Sequence, residues 1–71
     1  MDKTTLNIKV IYDTLGKAEK RVADRIMENP GDILPLSIVE LAEKCDSSEA
    51  TIVRFAKKLG FSGYQELKIS L

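Results

Sequence analysis

The stretch SIVELAEKCDSSEATIVRFAKKLG, residues 37–60, decides the fold. Ser37 with Glu40 three residues on is a capping box: the serine oxygen accepts the N3 amide, and the glutamate reaches back to the N-cap amide. It opens a short helix over residues 38–44, with Ile38, Leu41 and Ala42 on its inner face. Cys45-Asp46-Ser47 breaks that pattern. Ser48 then caps a second helix running to Leu59, with Glu49 near the positive end of its dipole. Ile52, Phe55, Ala56 and Leu59 fall at i, i+3, i+4 and i+7, one apolar face of a helix. Gly60 suits the left-handed position after a helix, and Phe61 can fold back onto the helix end.

Two short helices joined by three or four residues, the second polar outward and basic toward its end, predict a helix-turn-helix. Ala42 is small because the second helix crosses close to that turn of the first. Ile52 and Phe55 anchor the second helix to the domain, which directs Glu49, Ala50, Val53, Arg54 and Lys57 away from the core. A helix presented in this way fits the DNA major groove, with its N-terminal residues toward base edges. Lys57 and Lys58 are placed for backbone phosphates. Ser48 caps the helix, a role compatible with a hydrogen bond to phosphate.

The remaining chain supplies the rest of a bundle. Residues 6–15 place Ile8, Ile11, Tyr12 and Leu15 on one helical face, and Gly16 is read as the left-handed residue that ends it. Val10 lies off that stripe and widens the apolar surface, so this helix packs within the bundle or against a second subunit. Residues 17–29 put Ala18, Val22 and Ile26 on one line with Ala23 and Met27 beside it, and Lys20, Arg21, Asp24, Arg25 and Glu28 on the solvated side. Pro30-Gly31 ends this helix. Residues 31–36 form a connector with Ile33, Leu34 and Leu36 tucked under the bundle. Ser62 with Gln65 reads as a second capping box, opening a last helix that carries Tyr64, Leu67 and Leu71. The pattern reaches Leu71 without a stop signal, so a fragment of something longer is expected. The fold class is therefore all-α: a bundle of about five helices containing a helix-turn-helix at about residues 38–58, homeodomain-like.

Composition agrees and excludes alternatives. The chain has 71 residues, of which 44% are hydrophobic and 31% charged, the balance of an ordinary globular domain rather than a disordered one. Four glycines and two prolines favour helices over a turn-rich β architecture. Eleven basic residues match eleven acidic ones, so net charge alone names no polyanionic partner. The distribution is asymmetric: residues 1–47 carry seven basic and nine acidic side chains, whereas residues 48–71 carry four basic and two acidic. Histidine is absent and Cys45 is the single cysteine, which argues against zinc and disulfide chemistry and for a reducing, cytoplasmic home. The opening Met-Asp-Lys-Thr-Thr starts no long apolar run, so no signal peptide is expected, and no stretch approaches a membrane span. No catalytic residue, metal or cofactor is expected.

Residues 36–71, LSIVELAEKCDSSEATIVRFAKKLGFSGYQELKISL, resemble the N-terminal DNA-binding domain of RpiR-type bacterial transcription regulators. The most specific parts are Ser48 to Phe55, SEATIVRF, then Lys58 to Phe61, KLGF, and Gly63 to Lys68, GYQELK. Glu19 to Asp24, EKRVAD, and Glu28-Asn-Pro30 are also similar, and residues 1–15 are the least distinctive. The resemblance implies a helix-turn-helix module joined to a C-terminal sugar isomerase-like domain, which binds phosphosugars, controls operator binding and is absent from this chain. It implies a sequence-specific double-stranded DNA partner and regulation of sugar or phosphosugar metabolism; helix-turn-helix proteins commonly bind two half-sites as dimers, so a homodimer is also expected. This sequence departs from the family in the turn, where a glycine followed by an apolar residue is usual and Asp46-Ser47 stands instead.

Several residues keep two readings. Arg54, Lys57 and Lys58 without the resemblance are a solvated face; with it they contact phosphate or bases. Glu49 accepts a bond from cytosine or caps charge at the helix end. Thr51 faces the protein or a phosphate. Tyr64 and Gln65 are backbone contacts, or Tyr64 is a half-buried core residue. Cys45 is a packing residue beside the turn, and Arg21 and Arg25 stay solvated. The competing class is a protein-interaction module using the same exposed helix.

Overall fold

The computed structural model describes residues 3–71. Met1 and Asp2, part of the opening segment read above for a leader, lie outside the described residues. Five α-helices follow in order: α1 Lys3–Ile11, α2 Lys17–Glu28, α3 Ile38–Lys44, α4 Glu49–Lys58 and α5 Tyr64–Ser70, and the described residues contain no strand. Short 3-10 turns at Tyr12–Thr14 and Pro30–Ile33 follow α1 and α2.

The helices close around Phe55, whose side chain is fully buried. Each helix contributes a fully buried side chain: Ile8 from α1, Val22, Ala23 and Ile26 from α2, Leu41 from α3, Ile52 and Ala56 from α4, and Leu67 from α5. Ile33, from the turn after α2, closes the same cluster. The helical periodicities read from sequence are therefore the faces that pack. Truncating a buried phenylalanine such as Phe55 to alanine removes about 3–5 kcal/mol, a large share of the stability of a domain this size.

Four local expectations are corrected. α1 begins at Lys3 rather than Leu6 and gives way to the 3-10 turn at Tyr12, leaving Ile11 and Tyr12 half-buried against the core. Gly16 is not a left-handed stop: its φ is −72° and ψ 169°, and it is the N-cap of α2. The 3-10 turn closes with Leu15 N–H on the Tyr12 carbonyl, and Leu15 itself is extended, so the chain has already left the helix before Gly16. Leu34 is 52% exposed rather than tucked under the bundle, because Ile33 takes the inward position and Leu36 is half-buried. The second capping box does not form. Extended Gly63 is the N-cap of α5, one residue after Ser62, so Glu66 rather than Gln65 is N3, and the Ser62 hydroxyl donates to Glu66 Oε2 at 2.8 Å.

The capping box at α3 is present as read: Glu40 N–H donates to Ser37 Oγ at 3.1 Å, and Ser37 N–H donates to Glu40 Oε1 at 2.9 Å. The Ser37 N–H, helped by the Ser37 side chain, stabilises the Glu40 carboxylate and holds it below the usual carboxylate range. At the far end of α4, Gly60 adopts φ +93°, its N–H meets the Lys57 carbonyl, and Phe61 N–H returns to the Ala56 carbonyl. That paired closure is a Schellman motif, and it turns the half-buried Phe61 back onto the helix end.

Candidate nucleic-acid interface

The angle between α3 and α4 is set by the four residues between them, Cys45 to Ser48. Asp46 adopts φ +51°, the left-handed conformation, at the position after the Cys45 C-cap. Its N–H bonds the Glu43 carbonyl at 3.1 Å, and Ser47 N–H bonds the Ala42 carbonyl at 2.9 Å. This is again a Schellman closure, here built on an aspartate, one of the few L-residues that tolerate this region. The chain reverses within two residues and enters α4 at Ser48. The Ser47 Oγ is buried without a hydrogen-bond partner.

Arg21 stays exposed, as expected, but its guanidinium is also engaged by the turn. Its Nε donates to the Cys45 carbonyl at 3.0 Å and its Nη2 to the Asp46 carbonyl at 2.9 Å. A guanidinium fork on α2 thus satisfies two carbonyls that the left-handed turn directs out of the helix, and ties the turn to the bundle. Arg25 remains exposed. Cys45 is 5% exposed, and burial pushes its thiol up against the opposing influence of Arg25 and Arg21. That is the state of a packing residue rather than a reactive thiolate.

α4 has two distinct sides. Ile52, Phe55 and Ala56 are fully buried, whereas Glu49, Ala50, Arg54, Lys57 and Lys58 are exposed and Val53 is intermediate. Ser48 caps the helix through Oγ, which accepts Thr51 N–H at 3.2 Å. Thr51 is 4% exposed and faces the protein. Its Oγ1 lies 3.0 Å from Ser48 Oγ and accepts from Arg54 Nη2 at 3.3 Å. A buried threonine therefore tethers an exposed arginine and turns its guanidinium back along the helix toward the N-terminal end. Of the eight residues read as DNA-facing, the structure brings Ser48, Glu49, Ala50, Val53, Arg54 and Lys57 onto or beside one outward surface. Thr51 lies beneath that surface.

Lys58 also differs from its neighbours. Its Nζ lies 2.9 Å from Glu19 Oε1, across the seam between α4 and the start of α2. Burial pushes the Glu19 carboxyl up, but the Gly16 N–H and the Lys58 ammonium, with the nearby Arg54 charge, outweigh burial and hold it below its ordinary value. Tyr64 is turned inward, its hydroxyl donating to the Leu36 carbonyl at 2.7 Å, while Gln65 is exposed. Sequence patterning missed Glu19 and Arg21 because both bond to groups more than twenty residues away. Among the described residues, no group of three or more His, Cys, Asp and Glu is placed to hold a metal ion. No helix among them is long and apolar enough to cross a membrane.

Comparison with known proteins agrees with this geometry. Residues 3–71 match the model of the helix-turn-helix domain of the rpiR family. An uncharacterised HTH-type transcriptional regulator of Caldanaerobacter subterraneus is 42% identical over 64 residues, which are 90% of this chain and 23% of that protein. The HTH-type transcriptional regulator HexR of Pseudomonas aeruginosa is 48% identical over 59 residues, covering 83% of this chain and 21% of HexR. This chain thus spans between a fifth and a quarter of the length of these relatives. The Vibrio vulnificus NanR protein, solved in complex with ManNAc-6P, superposes with a TM-score of 0.92 at 29% identity, over 96% of this chain and 26% of NanR. The helix order, the tight turn between α3 and α4 and the match over every described residue lead to one conclusion: the chain belongs to the rpiR family of helix-turn-helix domains.

Proposed function

We propose that this chain is the DNA-binding domain of a bacterial transcription regulator and that α4 reads the major groove. One observation carries the reading: α4 is anchored by fully buried Ile52, Phe55 and Ala56 while Glu49, Ala50, Arg54 and Lys57 stand exposed on its other side. The N-terminal turn of α4 approaches base edges, Arg54 and Glu49 are the base-reading side chains, and Val53 supplies an apolar contact. Lys57 and the N-terminal amides at Ser48 bind backbone phosphate. Lys58 is left out of this set because its ammonium is on Glu19.

The domain works by binding rather than catalysis, in the cytoplasm, as part of a homodimer that engages two half-sites about 34–36 Å apart. Regulation is of sugar or phosphosugar metabolism, with a phosphosugar effector acting through a C-terminal domain of the full regulator. The support for this is the likeness to HexR and to NanR with its bound ManNAc-6P.

The test is an NMR titration of the labelled domain with a short duplex across a salt series. Shifts centred on residues 48–57 that fade as salt rises are expected, because counterion release accompanies phosphate contact. Arg54→Ala should cost about 1–3 kcal/mol on the preferred sequence and less on others. Lys57→Ala should weaken all sequences alike and lower the salt slope by about 0.9. Absence of shifts in α4 at high duplex excess would move the assignment to protein docking.

A further inference from the structure

Glu19 is 7% exposed and holds its carboxylate in an unusual arrangement. Oε1 accepts both the Gly16 N–H at 2.8 Å and the Lys58 ammonium at 2.9 Å. Oε2 is buried and has no hydrogen-bond partner. Lys58, by contrast, keeps 43% of its side chain exposed. The pair is therefore asymmetric: the lysine can reach solvent and the carboxylate cannot. Moving Lys58 onto a phosphate would leave a buried carboxylate with a single N–H for compensation, and stranding a buried charge is expensive. A phosphate contact made by Lys58 would have to repay that cost. Arg54, on the same helix, adds a second positive charge near this carboxylate.

We propose that Glu19 is a positioning residue that withholds Lys58 from DNA, so that the recognition helix carries one phosphate-binding cation fewer than its sequence shows. The inference rests on the DNA-binding reading above. Its consequence is a weaker sequence-independent affinity, which leaves base contacts a larger share of the total. Glu19 is the N3 residue in the first turn of α2, bonded to the Gly16 N-cap amide, so the restraint is fixed by the packing of α2 on α4 rather than by the exposed surface itself.

The experiment measures duplex affinity by fluorescence anisotropy across a salt series for the parent domain and for E19Q, K58Q and E19Q/K58Q, with folding of each checked by NMR. The glutamine keeps an oxygen for the Gly16 amide and removes the charge that holds Lys58. E19Q should steepen the salt slope by about 0.9, which corresponds to about a 3.5-fold larger affinity loss between 50 and 200 mM salt. K58Q should leave the parent slope unchanged, and the double variant should return to it. A purely structural Glu19 would change stability and not the slope. If K58Q alone flattens the slope by about 0.9, Lys58 contacts phosphate directly and the proposal is overturned while DNA binding stands. An E19Q slope equal to the parent's overturns it too. If E19Q does not fold, the K58Q measurement still decides whether Lys58 is withheld. A parent domain with no salt-dependent binding overturns the DNA-binding reading and this inference with it.

Discussion

Replacing Asp46 by glycine should stabilise the domain, and the turn geometry fixes the size of the gain. Asp46 sits at φ +51°, where a side chain's Cβ crowds the backbone at a cost of about 1–2 kcal/mol, with aspartate toward the lower end. Glycine removes that cost but loses about 0.5–1 kcal/mol through the greater freedom of the unfolded chain. The bonds that define the turn survive, because Arg21 donates to the Asp46 main-chain carbonyl and the Asp46 N–H meets the Glu43 carbonyl. Removing a negative charge next to the C-terminal end of α3 also helps slightly. The net expectation is a gain of about 0.3–0.8 kcal/mol, of which about 0–0.5 comes from the backbone and about 0.3 from the charge, or about 1–6 °C in Tm for a domain of this size. Urea unfolding provides the assay, with the midpoint rising and the m-value unchanged. Asp46→Ala separates backbone from charge, since alanine removes the carboxylate but keeps the Cβ. It should be no more stable than the parent. Equal gains for both substitutions, or no gain for glycine, would refute the claim that backbone conformation stores the strain.

Two further predictions concern buried polar groups and pH. Ser47→Ala deletes a buried hydroxyl that has no partner and should raise stability by about 1 kcal/mol in the same urea assay; a loss would mean the hydroxyl bonds a group of the protein or solvent. Glu19 and Glu40 both have carboxyls held below their ordinary values, so the unfolded chain binds more protons than the native one as the pH drops. Their contribution is complete above the unfolded carboxylate value of about 4.3 and is lost as the pH falls through the depressed folded values. Urea midpoints should therefore fall below about pH 4.3, and an E19Q/E40Q variant should show a shallower decline. An unchanged decline in that variant would assign the acid sensitivity to other carboxylates.

Much of the fold was legible because its decisive signals are local. A helical stripe such as Ile52, Phe55, Ala56 and Leu59 needs only the 3.6-residue period to show which face will be buried. Ser37 with Glu40, Ser48 at the head of α4 and Gly60 at its end are signals spanning three or four residues, and all three act as read. The misreadings fall where two local readings compete. Gly16 can stop one helix or start the next, and the choice depends on how the 3-10 turn at Tyr12–Thr14 releases the chain. Ser62 could cap α5, but extended Gly63 takes that position.

By itself, the sequence determined the all-α class, the helix-turn-helix, the family and the outward face of α4, since periodicity and capping chemistry act between near neighbours. Only the tertiary structure decided which charged residues are free. Arg21 closes a turn some twenty-five residues away, Thr51 lies under Arg54, and Lys58 is held by Glu19 from a different helix. A side chain's charge is written in its identity, but its availability depends on the partners that chain folding brings within about 3 Å, the range at which hydrogen bonds and close ion pairs form.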